Sequence, residues 1–413
     1  MVKEVSPLIF VGVDWSEDHH DIEVLAEDGS RLATRRVGHS VAGVAELHEL
    51  LASLADGPAE VKVGIETDRG LVVQALVAAG YEVFAINPRV ADRYRDRHAV
   101  SGAKSDALDA RVLADIVRTD RHRHRPVAGD SDLAEELKMM ARGHQNLIWS
   151  RTRLVLQLRS LLLEYFPAMV TAAGGHVGTR DALAVLGAFP DPAATRRLTR
   201  ARLVAVLRKA GRSRNLEPTA QRFLLALGGP HLEATPGVTA AGRANAMALL
   251  AVITAINAQI EHLEAALADR FDTHPDAEIV RSLPGIGTIL GARVLGEFGD
   301  DPNRYLDARA RKNYAGTSPI TRASGKTHVV AARFIRNDRL GDACDRWAFA
   351  AISSSPGARR FYDEKRAAGK THGQALRALS NRLVGILHGC LASRRTYEGA
   401  IAWRRYEKRS EAA

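Results

Sequence analysis

A chain of 413 residues, 46% hydrophobic and 26% charged, has room for two or three domains and the make-up of a soluble globular protein. No uncharged apolar run is expected to approach the ~20 residues of a membrane span, and Met1-Val2-Lys3-Glu4-Val5 lacks the layout of a secretory signal. The formal charge of +10 is uneven, because residues 301–413 hold 23 Lys and Arg against 10 Asp and Glu; such a basic third points to a nucleic-acid partner, with a solvated arginine-rich surface as the plainer alternative.

Two cysteines, Cys344 and Cys390, give neither a disulfide framework nor a zinc spacing, so a reducing cytoplasm is the expected compartment. In chain order, Ile9–Val13 is an apolar run that reads as a buried strand, closed by Asp14. Asp21–Ala26 and Arg31–Val37 read as further strands around a turn at Glu27-Asp28-Gly29-Ser30. Val41–Ala55 has helical spacing in Val44, Leu47, Leu50 and Leu51. A strand over Val61–Ile65, closed by Glu66, is followed by a helix at Leu71–Ala79 and a strand at Glu82–Ile86, which Asn87-Pro88 ends. Helices are expected next, one of them carrying Asp106 and Asp109. Strands followed by alternating α and β units predict a mixed sheet with helices on its faces.

Arg121-His122-Arg123-His124-Arg125-Pro126 marks a first boundary. Beyond it Leu133, Leu137, Met140, Leu147, Leu154, Leu158, Leu161 and Tyr165 hold a 3.5-residue period that only His144 and Arg151 break. That pattern predicts a long bundle or coiled-coil helix, with Ser131 as its N-cap. A second seam runs through Leu249, Ile253, Ile256, Ile260, Leu263 and Leu267. The two could form an antiparallel hairpin or drive self-association. Residues 166–245 read as short helices and loops, with no role assigned. From about Ala277, Leu283-Pro284-Gly285-Ile286-Gly287-Thr288 and the apolar helix after it look like the turn of a helix-hairpin-helix segment, where Gly285 and Gly287 would let amides approach a phosphate.

Asp14, Glu66, Asp106 and Asp109 are the residues with chemistry in them. Two acids at strand ends and two at i and i+3 on one helix face are what a paired divalent-metal site requires, since hard carboxylate oxygens suit Mg²⁺. Acids spaced i, i+3 on a helix are more often just a solvated face. Asp18, Asp21, Asp68 and Asp115 read as turn or surface residues.

The segments Val11-Gly12-Val13-Asp14, Val63-Gly64-Ile65-Glu66-Thr67, Ile86-Asn87-Pro88-Arg89 and Lys104-Ser105-Asp106-Ala107-Leu108-Asp109-Ala110 resemble the RuvC-like domain of DEDD-type insertion-sequence transposases, the bridge-RNA-guided one-ten family. Leu283–Gly287, Tyr314-Ala315-Gly316-Thr317-Ser318-Pro319 and Arg322-Ala323-Ser324-Gly325-Lys326 extend the likeness to the carboxy-terminal half. One departure is Glu66-Thr67-Asp68-Arg69-Gly70, where relatives commonly place an aromatic residue after a Thr-Gly pair. The resemblance implies an RNase H/RuvC-like α/β domain over 1–125, a helical coiled-coil region over 126–275 and a basic, mainly helical transposase domain over 276–413. It implies that Asp14, Glu66, Asp106 and Asp109 bind Mg²⁺, with Mn²⁺ as the alternative, and that Ser324 is the nucleophile. Ser318 ranks second and the Ser353–Ser355 run third; composition alone would make Ser324-Gly325 an ordinary turn. It further implies a bacterial, nucleoid-associated transposase that engages donor and target DNA, a structured non-coding guide RNA and other copies of itself.

Arg322, Lys326, Arg333 and Arg336 could neutralise the phosphate beside Ser324. Arg359-Arg360, Arg394-Arg395 and Arg404-Arg405 read as phosphate contacts, whereas Trp347, Phe349, Phe361, Tyr362, Trp403 and Tyr406 are more often core anchors than base-stacking groups. Two other readings compete: a metal-dependent junction-resolving nuclease that uses water in place of serine, and a non-catalytic nucleic-acid scaffold.

Overall fold

The computed structural model describes residues 7–95, 106–124, 126–127, 129–325, 327–333 and 336–410, with the side chains of 106, 107 and 405–410 left aside. The chain divides into two compact units, Met1–Gly129 and Asp130–Ala413.

The first unit is built on a five-stranded sheet of order β3-β2-β1-β4-β5. Its strands are β1 (Ile9–Trp15), β2 (His19–Leu25), β3 (Arg31–Gly38), β4 (Val61–Ile65) and β5 (Glu82–Ala85). The first three form an antiparallel meander, and β4 and β5 then add parallel to β1. The mixed α/β sheet expected from the alternating pattern is what forms. Helices α1 (Val41–Ala52), α2 (Leu71–Ala78), α3 (Pro88–Arg95) and α4 (Asp106–Asp120) complete the unit. Ser40 caps α1 through its hydroxyl. The alternation along β1 separates two cores: Ile9, Val11 and Val13 pack with Leu47, Leu51, Val73 and Leu76 on one face, while Phe10 packs with Leu113, Ala114 and Val117 of α4 on the other.

The second unit opens with α5 (Asp132–Tyr165), capped by Ser131. The short helices α6 (Pro167–Ala172), α7 (Arg180–Ala188), α8 (Pro192–Thr195), α9 (Arg200–Lys209) and α10 (Leu216–Gly228) follow, and then α11 (Pro236–Asp272). α5 and α11 pair antiparallel: Tyr165 packs on Gly242, Arg151 reaches Asn257, and His144 meets Glu264. One core cluster, around Tyr165, Phe166, Phe223 and Ile253, sits at one end of this pair. A second gathers Leu137, Leu267 and Phe271 with the rest of the chain: α12 (Ala277–Ser282), α13 (Thr288–Phe298), α14 (Ala308–Tyr314), α15 (Asp338–Ser354), α16 (Pro356–Ala367), α17 (His372–Ser393) and α18 (Gly399–Ser410). A two-stranded hairpin, β6 (Ile320–Ser324) and β7 (Thr327–Ala331), interrupts the helices.

The expectation that no uncharged run nears membrane length is corrected by α11. Residues 244–260 carry no charge, and this helix is long and apolar enough to cross a membrane by length and composition. Its Asn257 and Glu264 are spent on Arg151 and His144 of α5, which is how a helix of a bundle uses polar side chains.

Candidate active site

Gly12 and Gly64 fix where the acids of the first unit stand. A Cβ on Gly12 would overlap the carbonyl oxygen of Ala110, and one on Gly64 would press on Leu113 and Val117, so α4 lies directly on β1 and β4. The guanidinium of Arg121, just past the end of α4, lies 5.3 Å over the ring of Phe10. Since Phe10 meets the carboxy-terminal end of α4 and Gly12 meets Ala110, the helix runs antiparallel to β1. Its first turn, with Asp106 and Asp109, therefore points toward the Asp14 end of the strand.

Asp14 shares the α4-covered face with Gly12, two residues before it. The parallel register pairs Val13 with Ile65, so Asp14 and Glu66 follow side by side on neighbouring strands. Both are half-buried. The side chain of Asp106 lies outside the described residues. Asp109 is buried, at 6% exposure; it is not the solvated surface acid that its i, i+3 spacing alone would favour. Arg95 Nη2 stands 2.6 Å from Asp109 Oδ1, but the pair is not aligned as a hydrogen bond, and this oxygen has no hydrogen-bond partner among the described residues. Asp109 thus already has a cation beside it, which a metal ion would have to displace or share.

Two acids read from the sequence as turn or surface residues are placed differently. Asp21 sits in β2 directly opposite Asp14, and Arg36 holds both of its oxygens at 2.9 and 2.7 Å. Asp115, on α4, accepts from Tyr94 Oη at 2.8 Å and from Arg118. Glu23, opposite Gly12 and 1% exposed, binds Arg31, Thr34 and Arg111. The alternation Asp21-Ile22-Glu23-Val24 carried this information, because it sets both acids on one face of a strand. Arg95 left no such signal.

The donor set, all carboxylate oxygens, suits a hard divalent cation. Among the described residues, however, no three His, Cys, Asp or Glu side chains are gathered closely enough to hold one. Asp109 leans on Arg95 instead.

In the second unit Ser324 is the last residue of β6, exposed at the hairpin tip and paired in register with Thr327. Gly325 next to it has φ +54°, a backbone that favours glycine. Lys326 lies outside the described residues. Among the described residues the Ser324 hydroxyl has no hydrogen-bond partner. Arg322 is exposed two residues earlier on the same face of β6. Arg333 reaches Asn313 at 3.4 Å, and its Nε is buried without an acceptor. Arg336 is laid against Gly316 and Gly341 and reaches Asp338.

The two glycines of the hairpin between α12 and α13 differ. Gly285, at φ +78°, is required by the backbone of Ala350 and Ala351 in α15, which leaves no space for a Cβ. Gly287 is the N-cap of α13 and faces open space. Of the basic-segment aromatics, Trp347, Phe361 and Trp403 are buried core residues, and Phe349 is exposed.

Comparison with known proteins supplies the rest. Residues 11–167 match a DEDD-type transposase family model, and residues 277–363 match the model "Transposase IS116/IS110/IS902 family". The chain is 44% identical over 399 residues to the "Mini-circle putative transposase for IS117" of Streptomyces coelicolor, covering 96% of each chain. It is 33% identical to an IS900 insertion-element protein of Mycobacterium paratuberculosis, over 95% of this chain and 98% of that one. An IS110 insertion-element protein of Streptomyces coelicolor is 28% identical, over 95% and 96%.

Proposed function

The chain belongs to the IS116/IS110/IS902 transposase family and is a DNA transposase, and from that premise we propose that it cuts and rejoins DNA with the carboxylates of its first unit and the hydroxyl of Ser324. The observation that carries this reading is the convergence of Asp14, Glu66 and the first turn of α4 on one end of the sheet face, with Asp109 buried there beside Arg95. Asp14, Glu66, Asp106 and Asp109 would hold Mg²⁺ or Mn²⁺, which when bound supplies polarisation of the scissile phosphate and activation of a hydroxyl. Arg95 keeps Asp109 neutralised until then.

Ser324 would form the bond to phosphorus while the deoxyribose oxygen leaves and takes up a proton. The product is a phosphoserine–DNA ester, and attack by a second strand's hydroxyl would release the serine and reseal the backbone. An exposed hydroxyl at a hairpin tip can reach DNA, but it is a weak nucleophile until a base removes its proton. Arg322 and the guanidinium of Arg333 would meet the phosphate oxygens.

That no base stands beside Ser324 among the described residues favours one competing reading, a nuclease that hydrolyses the strand with water. Denaturing gels of end-labelled DNA separate the two. Wild-type protein should carry a covalent DNA adduct that neither Ser324→Ala nor Asp14→Asn forms. An adduct that survives Ser324→Ala removes this serine from the chemistry. Choice of target would rest on a structured RNA encoded beside the gene, a reading supported by the family likeness and by the charge of residues 301–413. RNA recovered with the purified protein should map to that flank; recovery of none, or of unrelated RNA, counts against it.

A further inference from the structure

The second unit contains a groove of about 990 Å³ that the chemistry above does not use. One wall is α17, where Gly385, Gly389 and Ser393 recur every four residues and keep one helix face free of bulk. Lys312 of α14, Arg382 of α17, and Arg394 and Arg395 beyond it also line the groove. Arg394 is paired with Asp276. Lys312 is not paired: it lies over Gly385, where a Cβ would stand 2.8 Å from its Nζ, and among the described residues it has neither ion pair nor hydrogen bond.

Arg382 donates to the Ala402 carbonyl and lies over the Trp403 ring, yet its Nε is buried without a hydrogen-bond partner among the described residues. Behind the groove, Arg311 lies over the rings of Phe298 and Tyr305, and its Nε and Nη1 and the Nδ1 of His388 likewise have no hydrogen-bond partner among the described residues. Burial, and then the charge of Arg382, pull the Lys312 ammonium below the usual lysine range. Burial, and then Arg311, do the same to His388. Two exposed carboxylates, Glu278 and Glu398, stand at the rim and form no ion pair among the described residues. Lys312 is thus a partly desolvated cation beside Arg382 with no ion pair among the described residues, and such a cation favours an anion that joins it.

We propose that this groove seats the phosphate backbone of the DNA substrate, with Lys312 and Arg382 as its charged contacts and the glycine face of α17 admitting the backbone. Such contacts position a duplex without reading its sequence. The groove is thus a holding site, separate in residues from the carboxylates and from Ser324.

Binding of a short fluorescent duplex across a salt series tests this on the full-length protein. Lys312→Met should weaken binding on the order of tenfold at low salt and reduce the slope of log K against log salt by about 0.9. Its melting temperature should hold or rise, because a desolvated, unpaired cation has been removed. Lys312→Arg should restore the affinity. Lys209→Met, the same charge change at an exposed position on α9, should leave affinity and slope near wild type. The proposal is overturned if Lys312→Met binds as wild type, if Lys209→Met loses as much, or if melting temperature falls without loss of affinity. A loss seen with single-stranded RNA but not with duplex DNA overturns it as well.

Discussion

Gly12 and Gly64 hold no charge, and yet they set the position of the charges that matter. Each lets the backbone of α4 rest on a strand where any side chain would collide with main-chain atoms. Gly12→Ala must therefore lift the helix or break it. Overpacking of this kind costs roughly 1–3 kcal/mol and sometimes more, so the melting temperature should drop clearly and Mn²⁺ binding, read by electron paramagnetic resonance, should weaken with it. An unchanged melting curve would mean that α4 does not lie where it is described. Glu297 is a second such residue: it is buried, and bonded to Arg142 at 2.7 and 2.9 Å and to Asn337 at 2.7 Å. Burial pushes its carboxyl up, but Arg142 and Asn337 outweigh this and hold it below the ordinary range. The stability it contributes is therefore complete above the unfolded carboxylate value of about 4.3 and is lost as pH falls through its depressed one. Glu297→Ala should cost about 3–5 kcal/mol at neutral pH by removing the buried carboxylate that Arg142 and Asn337 hold, and should flatten the acid limb of the stability profile. A variant as acid-sensitive as wild type would contradict this.

Among the elements, the α5–α11 pair was the most legible in sequence, because its 3.5-residue period runs through residues that become buried at both ends. The two breaks in the first seam, His144 and Arg151, are where polar partners cross to α11, and they fix the register that the apolar residues alone would leave loose. His144→Leu should leave the melting temperature level or raise it, since it replaces a buried ring with an orphaned Nδ1. Gly242→Val should lower it, because Tyr165 already fills the space a side chain would need. The reverse order would show that the pairing is misread. The strands of the first unit were also legible, each carrying an apolar run or an alternating face. The hairpin that bears Ser324 was not. Its strands run β6 and β7 with nearly every residue exposed, so no apolar alternation marks it, and Ser324-Gly325 looked like any turn. The α4 contact was hidden for a different reason: glycines against a helix backbone leave no periodic trace.

For the whole molecule, charge and chemistry are divided. The four candidate carboxylates lie in the first unit, while Lys312 of the groove, the exposed Ser324 and the excess of basic residues lie in the second. Such a division suits a protein in which one unit activates a phosphate and the other holds DNA and attacks it, and it makes binding strongly salt-dependent. The candidate carboxylates could be named from sequence because each closes a recognisable strand or lies in the first turn of a helix; Arg95 and the Lys312 groove could not, because only packing brings their partners near. The central claim is that Ser324 and the carboxylates act on the same phosphodiester. The most direct test is mass spectrometry of the protein trapped on a cleaved DNA strand, comparing wild type with Asp14→Asn in Mg²⁺. The account predicts a phosphodiester-linked nucleotide on the peptide containing Ser324 in the wild type and none in Asp14→Asn. A nucleotide on another residue, or an undiminished Ser324 adduct in Asp14→Asn, would contradict it.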